Sequence, residues 1–265
     1  MTTAPSFAAD APGFPGDPTP QPPFGLRDSL RSAALWSVGI PHLAGWVAFA
    51  VAMSKVTELR NVDPLFKLMS RMVPRLAGIR VDVVGRDRID PAATYVYVIN
   101  HVNIFDMFVI YQAIPGYVRS LELVDHFSWP IFGPFITAAG QIPVDPNDAR
   151  VTAKGLKRAV EMLGKGDSIA VLAEGSRTLD GSVGAFYPGA FRLAIKAKVP
   201  VVPMAIRGGR AVSRRGDWRV RPGRIEVAFG DPMPTDGLAV KDAIALADRC
   251  RAAVIDLLQR HPTSR

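Results

Sequence analysis

Apolar positions divide the chain into two stretches of different character. Between Arg31 and Lys55 there is no charge, and the chain reads SAALWSVGIPHLAGWVAFAVAMS. As a helix rising about 1.5 Å per residue, this run would extend about 35 Å, enough to cross a bilayer. Pro41 withdraws a backbone donor in its middle, and the adjacent His42 is costly in hydrocarbon. The pattern fits a span, or a kinked or two-helix element in the membrane interface with Trp36 and Trp46 at headgroup depth. A buried core helix ranks below these, because the run is long and unbroken by charge. Asp63 and Pro64 then mark a helix start, the acid as N-cap and the proline in the first turn. Leu65, Leu68, Met69, Met72 and Leu76 share one face, with Lys67, Arg71 and Arg75 elsewhere.

From residue 79 onward, runs of strand length alternate with helical patterns. IRVDVVG, TYVYVIN, VRSLELV, QIPV, SIAVLA, PVVPMAI and RIEVAF read as strands. FDMFVIYQAI and AFRLAIKAK read as helices, as does the long NDARVTAKGLKRAVEMLGKG, with Gly164 expected as its C-cap. A last helix is expected over 238–260. Alternation of this kind predicts an α/β fold, with a largely parallel central sheet flanked by helices and an N-terminal membrane-associated helical element. The expected organisation is a disordered Pro-rich tail over 1–26, helical anchor or interfacial helices over 27–76, and an enzymatic domain over 77–265.

Composition narrows the partners. With 32 Lys and Arg against 24 Asp and Glu, the net charge is +8, which favours nucleic acid, acidic lipid headgroups or phosphorylated substrates. One cysteine, Cys250, allows no internal disulfide, and four scattered histidines offer no zinc-ligand spacing, so no metal is expected. The N-terminal residues lack the basic start of a secretory signal. Seven arginines crowd the stretch RGGRAVSRRGDWRVRPGR, beginning at Arg207. This stretch suits a solvated loop, an anionic leaflet or a charged ligand. No nucleic-acid-binding module accompanies it, so nucleic acid is not an expected partner.

The chemistry concentrates in Asn100-His101-Val102-Asn103-Ile104-Phe105-Asp106. A buried-looking strand ends there and polar residues appear at once, where open α/β sheets bind ligands. On one helix, residues five apart point about 140° away from each other at about 100° per residue. For the imidazole to meet the carboxylate, His101 must lie in the turn and Asp106 in the first turns of the next helix. Such a pair fixes the imidazole tautomer and leaves the other nitrogen free to take a proton. Spacing alone equally allows a structural role, with His101 capping the turn.

Four blocks together extend this picture. His-x4-Asp is followed by Gly140-Gln141-Ile142-Pro143-Val144-Asp145, then Val171-Leu172-Ala173-Glu174-Gly175-Ser176-Arg177-Thr178, then Val199-Pro200-Val201-Val202-Pro203-Met204-Ala205. In order and spacing they resemble the lysophosphatidic acid acyltransferase family of glycerophospholipid acyltransferases, over roughly residues 80–230. The resemblance implies that His101 is the general base, oriented by Asp106, and that the acceptor hydroxyl attacks the acyl donor directly. It implies a phosphate site in Glu174, Gly175, Ser176 and Arg177, the glutamate holding the arginine's fork, with Asn103 and Arg150 as further substrate contacts. No bound cofactor is implied; acyl-CoA or acyl-carrier protein enters as the donor substrate. The implied partners are a lysophospholipid acceptor and an anionic membrane surface, on the cytoplasmic face. Pro146 stands where the family has arginine, Ala173 where it has proline, and Ser120-Leu121-Glu122-Leu123 and Phe186-Tyr187-Pro188-Gly189 lack the family's lysines. Lysophosphatidic acid is the first expectation for the acceptor, and these departures make another lysolipid or a lipoamino acid the alternative. Outside that class stand a His-Asp lipid hydrolase and a non-catalytic membrane-binding protein.

Overall fold

The computed structural model describes residues 23–259. The tail expected over 1–26 falls outside the described residues up to residue 22, and the first helix already begins at Leu26. Strands β1 (Ile79–Val84), β2 (Val96–Ile99), β3 (Val118–Leu123), β4 (Ile142–Val144), β5 (Ser168–Leu172), β6 (Val201–Arg207) and β7 (Gly223–Phe229) form one sheet in the order β1-β7-β6-β2-β5-β3-β4. Every neighbouring pair is parallel except β6 and β7. The expected largely parallel sheet is therefore present, with β1 and β7 running opposite to the other five.

Helices cover both faces. They are α1 (Leu26–Met53), α2 (Asp63–Leu76), α3 (Asp106–Ala113), α4 (Phe132–Ala138), α5 (Ala149–Gly164), α6 (Gly189–Ala197), α7 (Gly209–Val212) and α8 (Ala243–Gln259). Strand β2 shows how sequence builds the layers. Its side chains alternate, so Val96 and Val98 join the core under α5, α6 and α8, while Tyr95, Tyr97 and Ile99 join the core under α1, α2 and α3. All four β2 residues are buried, as a central parallel strand requires.

Several element ends differ from expectation. Gly164 lies inside α5; the left-handed terminator is Gly166 (φ +84°). Gly166 N–H donates to Leu163 O at 3.0 Å and Asp167 N–H to Met162 O at 3.1 Å, the paired bonds of a Schellman motif. Asp63 is not an N-cap but a helical residue; its carboxylate accepts from the Tyr111 hydroxyl and lies 3.3 Å from Lys67 Nζ. The last helix starts at Ala243, after a single 3-10 turn over Val240–Asp242.

Helix α1 runs through Pro41 as one 28-residue element, long and apolar enough to cross a membrane by length and composition. His42 Nε2 accepts from Trp46 Nε1 at 3.1 Å, one turn on, which satisfies the nitrogen that made the residue costly in an apolar setting. One side of α1 is seated on the body. Ser32 Oγ accepts from Val220 N–H at 2.8 Å, Trp36 Nε1 donates to Trp218 O at 2.7 Å, and Ala50 is buried with Phe66 and Met69 of α2. The other side is open, with Leu26, Leu30, Val38 and Ile40 at least half exposed.

These packing differences predict contrasting substitutions. Phe191→Ala, at a fully buried position, should lower unfolding free energy by about 3–5 kcal/mol. Val38→Ala, on the open side of α1, should change it by less than about 0.5 kcal/mol. Equilibrium denaturation of both variants checks the pair.

Candidate active site

The turn between β2 and α3 is built around one carboxylate. Asp106 is the first residue of α3 and 1% exposed. Its Oδ2 accepts from His101 Nδ1 at 2.7 Å, from Val102 N–H at 2.6 Å and from Asn103 N–H at 3.0 Å. Two of these donors are backbone amides, so the carboxylate shapes the turn as well as holding the ring. With Nδ1 as the donor to Asp106, the proton-free nitrogen of a neutral His101 is Nε2. The imidazole keeps 22% of its side-chain surface exposed, so the ring is partly accessible from solvent. The His101 and Asp106 side chains thus meet in the arrangement their spacing demanded, turn and helix start.

Parallel pairing of β2 and β5, with Ile99 beside Leu172, brings the segment 173–178 against this turn. Glu174 Oε1 accepts from His101 N–H at 2.9 Å, and Thr178 N–H donates to His101 O at 2.9 Å. The backbone of His101 is thereby held on both sides by one loop. Glu174 Oε2 accepts from Gly184 N–H at 2.8 Å, so this carboxylate braces the loop and does not hold the fork of Arg177. Burial pushes the Glu174 carboxyl above its ordinary value, opposed by the two backbone donors. Arg177 is partly exposed and presents its guanidinium without an ion pair among the described residues. Ser176 is exposed beside it.

Gly175 has φ +70°, and a Cβ there would lie 2.8 Å from the Tyr187 ring. Its freedom serves the turn and the approach of the tyrosine. Asn103 is also different from expectation. Its side chain is buried, donating to Gly209 O at 2.7 Å and accepting from Phe105 N–H at 2.8 Å, so it braces the turn from inside. Arg150 lies at the start of α5, beyond β4. It is on the same sheet edge as His101 but three strands away, about 14 Å at ~4.8 Å per strand, and is not brought to the pair.

Two features take roles that the sequence did not assign to them. Asn100 bridges β2 to β6 by donating to Ile206 O at 3.0 Å and accepting from Ile206 N–H at 2.7 Å, which fixes the strand end before His101. Its signal was a polar residue directly after a buried strand. The second is the arginine stretch after β6. Arg215 donates to Arg177 O at 2.9 Å, and Arg210 donates to Leu179 O at 3.0 Å and to Asp180 O. Others clasp the start of α1: Arg221 lies 2.7 Å from Asp28, and the Arg214, Arg219 and Arg221 guanidiniums sit over the Phe24 ring. Much of the run expected to face a leaflet or a charged ligand is therefore folded onto the protein, and part of it adds cations beside Arg177.

A mostly apolar cavity of about 100 Å³ lies behind the turn, lined by Ile99 and Met107, which flank His101 and Asp106 in sequence. Ile99, Leu172 and Met107, each close in sequence to the His101 turn or its bracing loop, line its near end; Tyr117, Arg119 and Leu59 line the far end. From Glu122 back to Tyr117 the cavity follows β3 for about 17 Å at ~3.3 Å per residue.

The pattern of the family described as Acyltransferase matches residues 80–207. The chain is 30% identical to the 1-acyl-sn-glycerol-3-phosphate acyltransferase alpha of Ovis aries, over 83% of this chain and 78% of that protein. Identity to the same-named protein of Homo sapiens is also 30%, over 83% and 80%. Its fold is similar to the crystal structure of the 1-acyl-sn-glycerophosphate acyltransferase PlsC of Thermotoga maritima, with TM-score 0.76 and 19% identity, covering 90% of this chain and 99% of that one.

The raised Glu174 carboxyl carries a pH signature. The folded chain holds this proton more tightly than the unfolded chain, so stability falls as pH rises from 4.5 through the raised value. Glu174→Gln should remove that part of the slope when melting temperature is followed upward from pH 4.5. Equal slopes in both proteins would contradict burial as the cause.

Proposed function

From the premise that the chain belongs to the lysophosphatidic acid acyltransferase family, and is therefore an acyltransferase, we propose that it esterifies the free hydroxyl of a lysophospholipid with a fatty acyl group. The observation that carries this reading is the 2.7 Å His101–Asp106 bond at the carboxyl end of β2, in a turn whose flanking residues Ile99 and Met107 line an apolar cavity. In the proposed step, His101 Nε2 takes the acceptor's hydroxyl proton as the oxygen attacks the donor's thioester carbonyl. The tetrahedral intermediate collapses, the new ester forms, the carbon–sulfur bond breaks, and the imidazolium returns its proton to the leaving thiolate. Asp106 holds the tautomer and stabilises the transient imidazolium. No acyl-enzyme is required, and acyl-CoA and acyl-carrier protein both meet the need for a thioester donor.

Lysophosphatidic acid is the proposed acceptor, giving phosphatidic acid. Arg177 supplies a guanidinium able to grip a phosphate through two hydrogen bonds, with Ser176 beside it. Arg210 and Arg215, folded against the same loop, supply positive potential that the missing family lysines would otherwise give. Other lysolipid or lipoamino acid acceptors remain the second reading because of Pro146 and those missing lysines. We place the protein on the cytoplasmic face, with α1 lying in the interface. Its inner side is occupied by the body from Ser32 to Ala50, while Leu30, Val38 and Ile40 face outward. Arg71, Arg75 and Arg80 line a neighbouring groove suited to an anionic leaflet.

Purified protein given a labelled acyl thioester and a lysolipid panel should form diacyl lipid, most rapidly from lysophosphatidic acid. Free fatty acid alone would replace the reading with hydrolysis, and no product with any acceptor would leave a binding role. His101→Ala should lower turnover by about 10²–10⁴-fold with the fold intact by circular dichroism. Arg177→Ala should raise KM for lysophosphatidic acid far more than it lowers kcat; an unchanged KM removes its assigned role.

A further inference from the structure

The loop that carries Arg177 projects an apolar side chain into solvent. Leu179, two residues on, is 73% exposed. Its backbone is held there: Arg210 donates to Leu179 O at 3.0 Å and to Asp180 O, and Gly181 N–H donates to Thr178 Oγ1 at 2.9 Å. Trp218, in the neighbouring arginine loop, is 52% exposed, and its carbonyl accepts from Trp36 of α1. The guanidiniums of Arg214, Arg219 and Arg221 sit over Phe24, so the same loop also holds the start of α1, where Leu26 and Leu30 are exposed. One basic loop thus ties together apolar projections from α1, from Trp218 and from Leu179. Asp28 and Asp217 pair with Arg221 and Arg219, but Arg210 and Arg215 donate to main-chain carbonyls, which leave their charge unneutralised. Asp180, the acid beside Leu179, turns its Oδ1 onto Ser182 and Thr178.

Resting on the acyl-transfer reading, we propose that Leu179 and Trp218 form a second membrane contact, apart from the middle of α1, that sets the Arg177 loop into an anionic leaflet. Apolar groups projecting among arginines suit an interface, because the former enter the acyl boundary while guanidiniums stay with the phosphates. Two residues of chain reach at most about 7 Å, so a leucine at that boundary keeps Arg177 at phosphate depth. The acceptor's phosphate then meets Arg177 without leaving the headgroup layer. An acidic carrier protein would also satisfy the arginines. The bilayer is favoured because Leu26 and Leu30 continue the patch onto α1, whose outer side stays apolar through Val38 and Ile40. A single flat surface covers all of it.

Site-directed fluorescence tests the contact directly. Cys250 is buried, its thiol pushed up to about 12 by that burial, so a cysteine introduced at the surface is labelled selectively. Full-length Leu179→Cys carrying an environment-sensitive fluorophore should brighten at least about twofold and shift to the blue with phosphatidylcholine–phosphatidylglycerol vesicles. The same label on Ala245→Cys, exposed on α8 across the sheet from α1, should not respond. Silence at position 179, or a response to acyl-carrier protein and not to vesicles, would overturn the proposal. In turnover, Leu179→Asp should raise KM for oleoyl lysophosphatidate in those vesicles roughly tenfold, with less than about a twofold change for a dissolved hexanoyl one. Leu179→Met should match the wild type. No change with either acceptor, or equal changes with both, would also overturn it. Because the fluorescence needs no turnover, insertion without acyl transfer would sink the proposed function and leave the contact standing. Transfer without insertion would do the reverse.

Discussion

Asp106 Oδ2 accepts three hydrogen bonds from one turn, and the shape of the turn follows from them. A buried carboxylate is tolerated only when donors surround it, and here they are an imidazole and two backbone amides. The other oxygen, Oδ1, is buried with no hydrogen-bond partner among the described residues, so the carboxylate's bonding is concentrated on the turn. The ring cannot rotate away from Asp106 without also abandoning the acid that organises its own backbone. An imidazole held in this way has its orientation set before any ligand arrives.

The sheet supplies what the turn cannot. Parallel β2 and β5 end side by side, so their following loops interlock, and Glu174 and Thr178 grasp the two ends of the His101 peptide. Antiparallel β7 has a different effect. Because β6 ends and β7 begins at the same edge, the connection between them, with its arginines, must cross the region beside Arg177. The same reversal puts the start of β7 beside the start of α1, where Arg221 and Asp28 pair. One change of strand direction thus gathers positive charge at the candidate acceptor pocket and ties the N-terminal helix to it.

Helix α1 then has two environments at once. Its inner side forms part of the body through Ser32, Trp36 and Ala50, while its outer side exposes a surface that water disfavours. A helix so divided is suited to a boundary between protein and lipid. Its inner side also lines a small apolar seam against α4 through Leu43, Trp46 and Val47.

Strand and helix alternation, the apolar N-terminal run and the His-x4-Asp spacing were legible in the sequence, because each is a local pattern: period two, period 3.6, or a turn of fixed length. The meeting of His101 with Asp106 was legible for the same reason, lying within six residues. Roles that depend on distant partners were not. Glu174 and Arg177 are near neighbours in sequence, yet the glutamate bonds to His101 and Gly184, which parallel pairing of β2 and β5 and the fold of the loop bring to it. Asn103 looked available to a substrate until Gly209, 106 residues away, took its amide. The arginine run looked like a surface because composition records charge but not which way a loop folds. Sequence determined the elements and the local pair; strand order, and with it the company each side chain keeps, was decided only by the tertiary structure, since pairing between strands is set by packing across the whole sheet.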